Sequence, residues 1–202
     1  MQKLPAPPRP ATDGRTLRSL RTREAIVDAT IGLLEDGDLR PTAPRVADRA
    51  SVSVRSVFQH FADLETLHAA VAERLVDRVA VLLVPLPPDG SLDERLDRFV
   101  HQRTLLLEAV TPIRRAAAVH GPFSSEITAR LRDGQAFLRA ELVHTFGPEL
   151  ETAGDDREVV LDALDAALSW ATWDHLRAGG GRDQDVARAI VRRMAGSVLR
   201  PA

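Results

Sequence analysis

The chain has 202 residues, of which 44% are hydrophobic and 28% charged, a balance typical of soluble globular proteins with one or two small domains. Its formal net charge is −2, so the overall charge does not by itself indicate a nucleic-acid binder, although residues 1–60 carry more basic than acidic side chains. The chain contains no cysteine, which excludes disulfides, thiolate metal sites and a cysteine nucleophile and fits a reducing compartment.

The N-terminal segment has no apolar stretch typical of a signal peptide, and no run of about 18 apolar residues occurs anywhere in the chain. We therefore expect a cytoplasmic protein with no membrane partner. Residues 1–14 contain four prolines and show no apolar periodicity, which indicates a disordered tail.

Helical periodicity begins at Thr22 and predicts a first helix that ends near Gly37, a glycine suited to a C-cap. A second, short helix is expected to open at Thr42 and a third at Ser53, because both are N-cap residue types. A fourth helix, over about 63–83, carries one apolar stripe for about five turns.

The rest of the chain also has only helical periodicity. After a Pro/Gly-rich break, it predicts helices over roughly 91–110, 112–120, 124–146, 157–178 and 183–199. No segment alternates polar and apolar residues over a sustained length, as a half-buried strand would. The predicted fold is therefore all-α.

The second and third helices, joined by a short turn, have the pattern of a helix-turn-helix motif. An apolar set would hold the third helix in place: Val46, Ala47, Ala50, Val52, Val57 and Phe61. Its other side could then enter the DNA major groove, where Arg55 is suited to guanine and Gln59 to adenine or phosphate. Ser56 and His60 suit phosphate oxygens. The alternative is a motif that serves packing only.

Residues 21–67 resemble the DNA-binding domain of the tetracycline-repressor-like (TetR) family of transcriptional regulators. The residues that match the family pattern in order and spacing are Thr42, Val46, Ala47, Ala50, Val52, Ser53, Val57, His60, Phe61, Glu65 and Leu67. The resemblance implies a helix-turn-helix domain over 15–67 and a helical regulatory and dimerisation domain over 68–202. It also implies a homodimer that binds a palindromic double-stranded DNA operator, most often as a repressor. The expected DNA-binding residues are Thr42, Ser53, Val54, Arg55, Ser56, Phe58, Gln59, His60, Arg18 and Arg21.

Three residues depart from the family pattern. Ser51 stands where the family usually has glycine in a left-handed conformation, so strain of about 1 kcal/mol is expected there. Phe58 replaces a tyrosine and Leu64 a lysine, which removes two phosphate partners. The arginines of the N-terminal extension could compensate by contacting DNA or could merely solvate a frayed tail: Arg15, Arg18, Arg21 and Arg23. Both interpretations stay open.

The predicted helix 157–178 is apolar over well over half of its circumference, so it must be covered on two sides. A second subunit is the natural cover for one of them, and the same holds for the apolar face of helix 183–199. The expected interface residues are Leu161, Leu164, Leu168, Ala171, Ile190, Met194 and Val198. The alternative is a helix fully buried within a monomer.

Arg103 lies within an apolar stripe of helix 91–110, where a charge should be paired or should line a cavity. Gly134 leaves space near Leu131 and Leu138. The candidate residues for a small-molecule effector site are Arg103, His120, Phe137, Trp170 and Trp173. Their alternative role is in the core, with Arg103 in an internal salt bridge. The effector itself is not identified.

No pattern points to catalysis. The six histidines do not form an H-E-x-x-H motif or a comparable ligand spacing, and the chain has no G-x-S-x-G motif or phosphate-binding glycine loop. We therefore expect no enzyme, no cofactor and no metal site. A third hypothesis is a helical adaptor or small-molecule-binding protein whose helix-turn-helix does not read DNA.

Overall fold

The computed structural model describes residues 14–121 and 125–200, and within these ranges it contains helices and no strand. The predicted all-α fold is therefore confirmed. The α-helices are α1 (Gly14–Glu35), α2 (Ala43–Ala50), α3 (Val54–His60), α4 (Leu64–Ala80), α5 (Leu92–His120), α6 (Ser125–Thr152), α7 (Arg157–Ala167), α8 (Trp170–Asp174) and α9 (Gln184–Val198). No helix in these ranges combines the length and apolarity needed to cross a bilayer.

The chain forms two compact units, residues 1–71 and 72–202, with the boundary inside α4. The first unit packs α1, α2 and α3 around buried side chains that include Ile26, Ile31, Val46, Val57, Phe61 and Leu67. Helix α1 begins at Gly14, well before the predicted Thr22. Its first turns expose Leu17 and Leu20, so they carry no buried stripe that periodicity could reveal. The predicted disordered tail, apart from Gly14, lies outside the described residues.

Two local predictions about the first unit are confirmed. Gly37 ends α1 with φ of +90°, and the amide of Asp38 donates to the Leu33 carbonyl at 2.9 Å, as in a Schellman C-cap. Ser51 follows α2 at φ 56° and ψ 41°, which is the left-handed conformation, and its neighbour Val52 donates to the Ala47 carbonyl at 2.9 Å. The serine therefore carries the strain that glycine would avoid.

Replacing Ser51 with glycine should raise the free energy of unfolding of the first unit by about 1 kcal/mol, because glycine adopts this conformation without a Cβ clash. Hydrogen exchange of the Val46 and Val57 amides, followed by NMR, should slow about fivefold. Ser51→Ala is the control, since alanine keeps the Cβ. Equal protection in both variants would show that the turn is not strained.

Two prolines lie inside helices of the second unit. The predicted break at Pro112 is wrong, since α5 runs through it from Leu92 to His120. Leu107 and Ala116, on either side of Pro112, are both buried, and their packing outweighs the lost backbone hydrogen bond. Helix α6 spans Ser125–Thr152 but is kinked at its predicted end, where Phe146 has non-helical angles (φ −115°, ψ 22°) and Pro148 follows closely.

The predicted helix 157–178 is wrong in the opposite sense, because it is interrupted. Helix α7 ends at Ala167, and Ser169 has extended angles (φ −75°, ψ 158°). The Ser169 hydroxyl accepts a hydrogen bond from the Thr172 amide at 3.2 Å, so this serine acts as the N-cap of α8. A single turn of π-helix, His175–Gly179, follows α8.

The core of the second unit lies between α5, α6, α7 and α9. It contains Leu96, Phe99, Leu142, Phe146, Leu164, Trp173 and Val191, all buried. An ion pair between the buried Arg95 and the half-buried Glu149 joins α5 to α6: Arg95 contacts both carboxylate oxygens of Glu149, at 2.5 and 2.8 Å. Arg95 Nη1 also donates to the Thr145 carbonyl at 2.8 Å, so the guanidinium binds the helix beside its kink.

Candidate functional site

Helix α3 has one buried side and one exposed side. Val57 is buried against the first unit, whereas Arg55 and Gln59 are exposed, as expected for residues that face a partner. Ser56 and His60 are half-buried at the edges of this surface. The helix-turn-helix therefore holds the predicted reading residues outward on one helix face.

The N-terminal ends of α2 and α3 differ in their capping. The Ser53 hydroxyl accepts a hydrogen bond from the Ser56 amide at 3.1 Å, which sets the start of α3. Thr42 has N-cap backbone angles but makes no side-chain capping bond, and it is exposed. Ser53 is thus engaged within the protein, while the Thr42 hydroxyl is available to a partner.

Two arginines of α2 are tied to acidic residues of the preceding turn. Arg45 contacts Asp38 at 2.8 Å, and Arg49 contacts Asp36 at 2.5 Å. The Arg55 side chain, by contrast, makes no hydrogen bond or ion pair with any residue that the structure describes. Its guanidinium is therefore available to a ligand outside the chain.

The arginines of α1 divide into two groups. The Arg23 guanidinium lies 4.9 Å from the centre of the Phe61 ring, so this residue packs on the helix-turn-helix itself. Arg18 and Arg21 are exposed. The Arg15 side chain is outside the described part of the structure. The role of the exposed pair on DNA stays a prediction.

Two apolar residues are exposed on α3, where a surface helix usually carries polar ones. Phe58 keeps 50% of its area accessible and Val54 keeps 39%. Neither serves the core of the first unit. Both can contact an apolar group of a partner, such as a thymine methyl.

A cavity of about 540 Å³ lies within the second unit. Helix α5 lines it with one stripe of residues, Arg103, Leu106, Leu107, Val110 and Arg114. The opposite walls come from α6, with Leu131, Gly134, Phe137 and Leu138, and from the second part of α4, with Ala72, Val76 and Val79. Its volume is in the range of small-molecule sites.

Three of the five predicted effector residues line this cavity: Arg103, Phe137 and Trp170. Trp173 does not, because it is fully buried in the core, where its Nε1 donates to Glu108 at 2.8 Å. That placement corrects the prediction for Trp173. The His120 side chain is outside the described residues.

Several lining residues were not predicted. Arg114 lies eleven residues after Arg103, a spacing that puts both on one face of a continuous helix. The expected break at Pro112 concealed this relation. Val79 belongs to the apolar stripe predicted for the fourth helix and Val76 does not, and no local signal in the sequence assigns either to a cavity.

The predicted dimer surface needs a correction. Leu161, Leu164 and Leu168 are buried in the core of their own unit and are not available to a partner. The predicted helix 157–178 is interrupted at Ser169, so its apolar residues do not surround one continuous helix axis. Ala171 and Met194 are exposed, and Ile190 and Val198 are half-buried. Val186, on the same helix as Met194, is also exposed.

No group of three or more His, Cys, Asp or Glu residues in the described ranges is arranged to hold a metal ion.

Comparison with known proteins shows the fold. No family model and no curated protein matches the chain. A crystal structure of a transcriptional regulator from Rhodococcus sp. Rha1 is similar to the chain, with 20% sequence identity and a TM-score of 0.66, and the match covers 90% of this chain and 95% of that one. A TetR-family transcriptional regulator from Mesorhizobium loti MAFF303099 has 18% identity and a TM-score of 0.64, with coverage of 90% of this chain and 96% of that one. A TetR-like transcriptional regulator from Rhodococcus sp. RHA1 has 21% identity and a TM-score of 0.60, with coverage of 91% of this chain and 96% of that one. The chain therefore has the fold of TetR-family transcriptional regulators.

Proposed function

We propose that the protein is a ligand-responsive transcriptional regulator of the TetR type that represses genes by binding a palindromic DNA operator as a homodimer. The observation that carries this proposal is the exposed face of α3, where the Arg55 side chain has no partner among the described residues. The structural likeness to transcriptional regulators, none of them described as an enzyme, supports the same function.

On DNA, the N-terminal part of α3 enters the major groove. Arg55 donates to guanine O6 and N7, and Gln59 pairs with adenine or contacts a phosphate. Phe58, exposed on the same helix, packs on a thymine methyl group. The Thr42 hydroxyl and the half-buried Ser56 and His60 contact phosphates, while Arg18 and Arg21 add charge from α1.

The second subunit contacts the exposed apolar side of α9. Val186 and Met194 keep 43% and 40% of their area accessible, although helix α9 buries its opposite face in the core. A twofold axis that pairs this surface with its own copy covers these residues. It also supplies a second recognition helix, which a palindromic operator requires.

A double variant that replaces Val186 and Met194 with glutamate should give a monomer at micromolar concentration, because two buried charges per subunit would face their own copies. Light scattering measures the mass. Val81→Glu is the control, since Val81 is more exposed than either residue and does not belong to α9. If the double variant keeps the mass of a dimer, this surface of α9 is not the dimer interface.

Effector binding alters operator affinity through α4. The residues of α4 up to and including Val71 belong to the first unit. Its later residues Ala72, Val76 and Val79 line the cavity of the second unit. A ligand that prefers the DNA-incompetent state by a few kcal/mol is enough to release the operator.

The test of the proposed function is selection of bound sequences from a random DNA pool at about 0.15 M salt, a concentration at which nonspecific binding is weak. We expect a palindromic consensus whose two halves are one helical turn of DNA, or a multiple of it, apart. No enrichment, or binding that salt removes without leaving a consensus, would favour the adaptor hypothesis instead.

A further inference from the structure

The proposed effector cavity contains a buried positive charge that forms no ion pair with any described carboxylate. Arg103 is only 4% exposed, and its Nη2 donates to the Leu138 carbonyl at 3.0 Å. The guanidinium also lies 4.9 Å from the centre of the Phe99 ring. No carboxylate among the described residues forms an ion pair with it. A carbonyl and a ring face stabilise this cation without balancing its charge.

The Arg103 side chain lines the cavity and has N–H donors that make no hydrogen bond with described residues. A guanidinium has five N–H donors, and Leu138 takes up one of them. Any Arg103 nitrogen that lacks a hydrogen-bond partner keeps some accessible surface, and the side chain lines the cavity. An acceptor inside the cavity can therefore reach the guanidinium.

Two acidic residues, Asp165 and Glu141, influence Arg103 through their charge without forming an ion pair with it, and Asp165 is already bound to other residues. Burial lowers the pKa of Arg103 to about 10, and the charges of Asp165 and Glu141 oppose that change. Arg103 thus stays protonated at neutral pH. Both carboxylate oxygens of Asp165 accept hydrogen bonds from Gln135 at 2.7 Å, and Asp165 also lies 3.9 Å from Arg139.

A second cation lies on the same stripe of α5. Arg114 is three turns, or about 16 Å, further along the helix, and its guanidinium lies 5.3 Å from the Trp170 ring. Burial lowers the pKa of Arg114, and no described carboxylate pairs with it. The wall between the two arginines is apolar, with Leu106, Leu107 and Val110.

The opposite wall leaves room for a ligand body. A Cβ added to Gly134 would meet no heavy atom within 4 Å, and Phe137, Leu131 and Leu138 supply apolar surface beside it. Arg130 also lines the cavity, but it is paired with Glu73 at 3.5 Å. The site combines one deeply buried guanidinium with a long apolar surface, while its other charged lining residues, Arg114, Arg130 and Asp133, are less buried.

We propose that the cavity binds an amphipathic monocarboxylate, with its carboxylate on Arg103 and its apolar chain along Leu106, Val110 and Phe137. This inference rests on the proposed role of the cavity as the effector site, and it specifies the chemistry of the effector. A carboxylate pairs with a guanidinium through two parallel hydrogen bonds. Arg103 is the proposed anchor because it is more buried than Arg114. An anionic partner therefore stabilises the charge of Arg103 more than that of Arg114.

The experiment compares three probes with one chain length and different heads: decanoate, decan-1-ol and decyltrimethylammonium, each below its micellar concentration. Binding to the full chain without DNA is measured by calorimetry and by the fluorescence of Trp170, a cavity residue. We expect decanoate to bind at least tenfold more tightly than the alcohol and the cation to bind worst, because only the carboxylate neutralises Arg103.

Arg103→Gln should weaken decanoate binding at least tenfold and leave decan-1-ol binding unchanged. Arg132→Gln, an exposed arginine on the same helix as Phe137 and outside the cavity, should change neither. Gly134→Leu should abolish binding of both probes by filling the cavity, and Gly134→Ala should not.

The carboxylate proposal is wrong if decanoate does not bind, if it binds no better than the alcohol, or if Arg103→Gln leaves its affinity unchanged. These outcomes are independent of DNA binding. An operator consensus without decanoate binding would overturn only this inference. Decanoate binding through Arg103 with no effect on operator affinity would instead overturn the effector role.

Discussion

Arg55→Ala should weaken binding to the selected operator by about 1–3 kcal/mol, because it removes a bidentate contact to guanine. The loss should be restricted to sites that keep this guanine, so the variant also relaxes base preference at one position of each half-site. Fluorescence anisotropy with the operator and with single-base variants measures both effects.

Arg55→Lys separates base reading from charge. Lysine keeps the positive charge but lacks the planar fork of the guanidinium, so we expect the base preference to fall while the salt dependence of binding stays the same. Arg132→Ala, on an exposed residue of α6, should leave operator binding unchanged. If Arg55→Ala lowers the affinity for all sequences equally and reduces the salt slope by about 1, Arg55 contacts a phosphate instead.

Glu149→Leu should lower the free energy of unfolding of the second unit by about 3 kcal/mol, because it leaves the charge of Arg95 buried without its partner. The Arg95 side chain is 6% exposed and the Glu149 side chain 17%, so water replaces little of the lost interaction. Both tryptophans of the chain, Trp170 and Trp173, belong to this unit. Their fluorescence during urea unfolding therefore reports on it.

The pair also predicts a pH dependence. The hydrogen bond from Arg95 holds the pKa of Glu149 below its usual value of 4.5. A carboxylate whose pKa is lower in the folded state stabilises the protein above its unfolded-state pKa, and this contribution is lost as pH falls through the folded value. The difference in stability between the wild type and Glu149→Leu should therefore shrink as pH is lowered from about 5 toward 3.

Two controls distinguish a buried pair from a surface pair. Arg188→Gln removes an ion pair with the exposed Asp185 and should cost less than about 1 kcal/mol. The double variant Arg95→Met/Glu149→Leu should be more stable than Glu149→Leu alone, since no buried charge is left. If the double variant is as unstable as Glu149→Leu, then lost packing, rather than the unpaired charge of Arg95, causes the decrease in the free energy of unfolding.

Local spacing was enough to predict the all-α fold, the exposed face of α3 and the C-cap at Gly37, whereas the left-handed position of Ser51 was expected from the family resemblance. Each of these depends on residues within a few positions of one another, through caps, turns or one helix face. The same holds for Arg103, whose place in an apolar stripe predicts either a cavity or an ion pair, and the side chain does line a cavity.

Contacts between distant parts of the chain decided the rest. Packing on both sides of Pro112 keeps α5 continuous and brings Arg114 onto the face of Arg103. Whether Leu161 and Leu164 face a partner or their own core depends on which helices cover α7, and periodicity within α7 carries no information about its neighbours. The interruption at Ser169 was hidden for a related reason: a serine becomes a cap only where packing ends one helix and starts another.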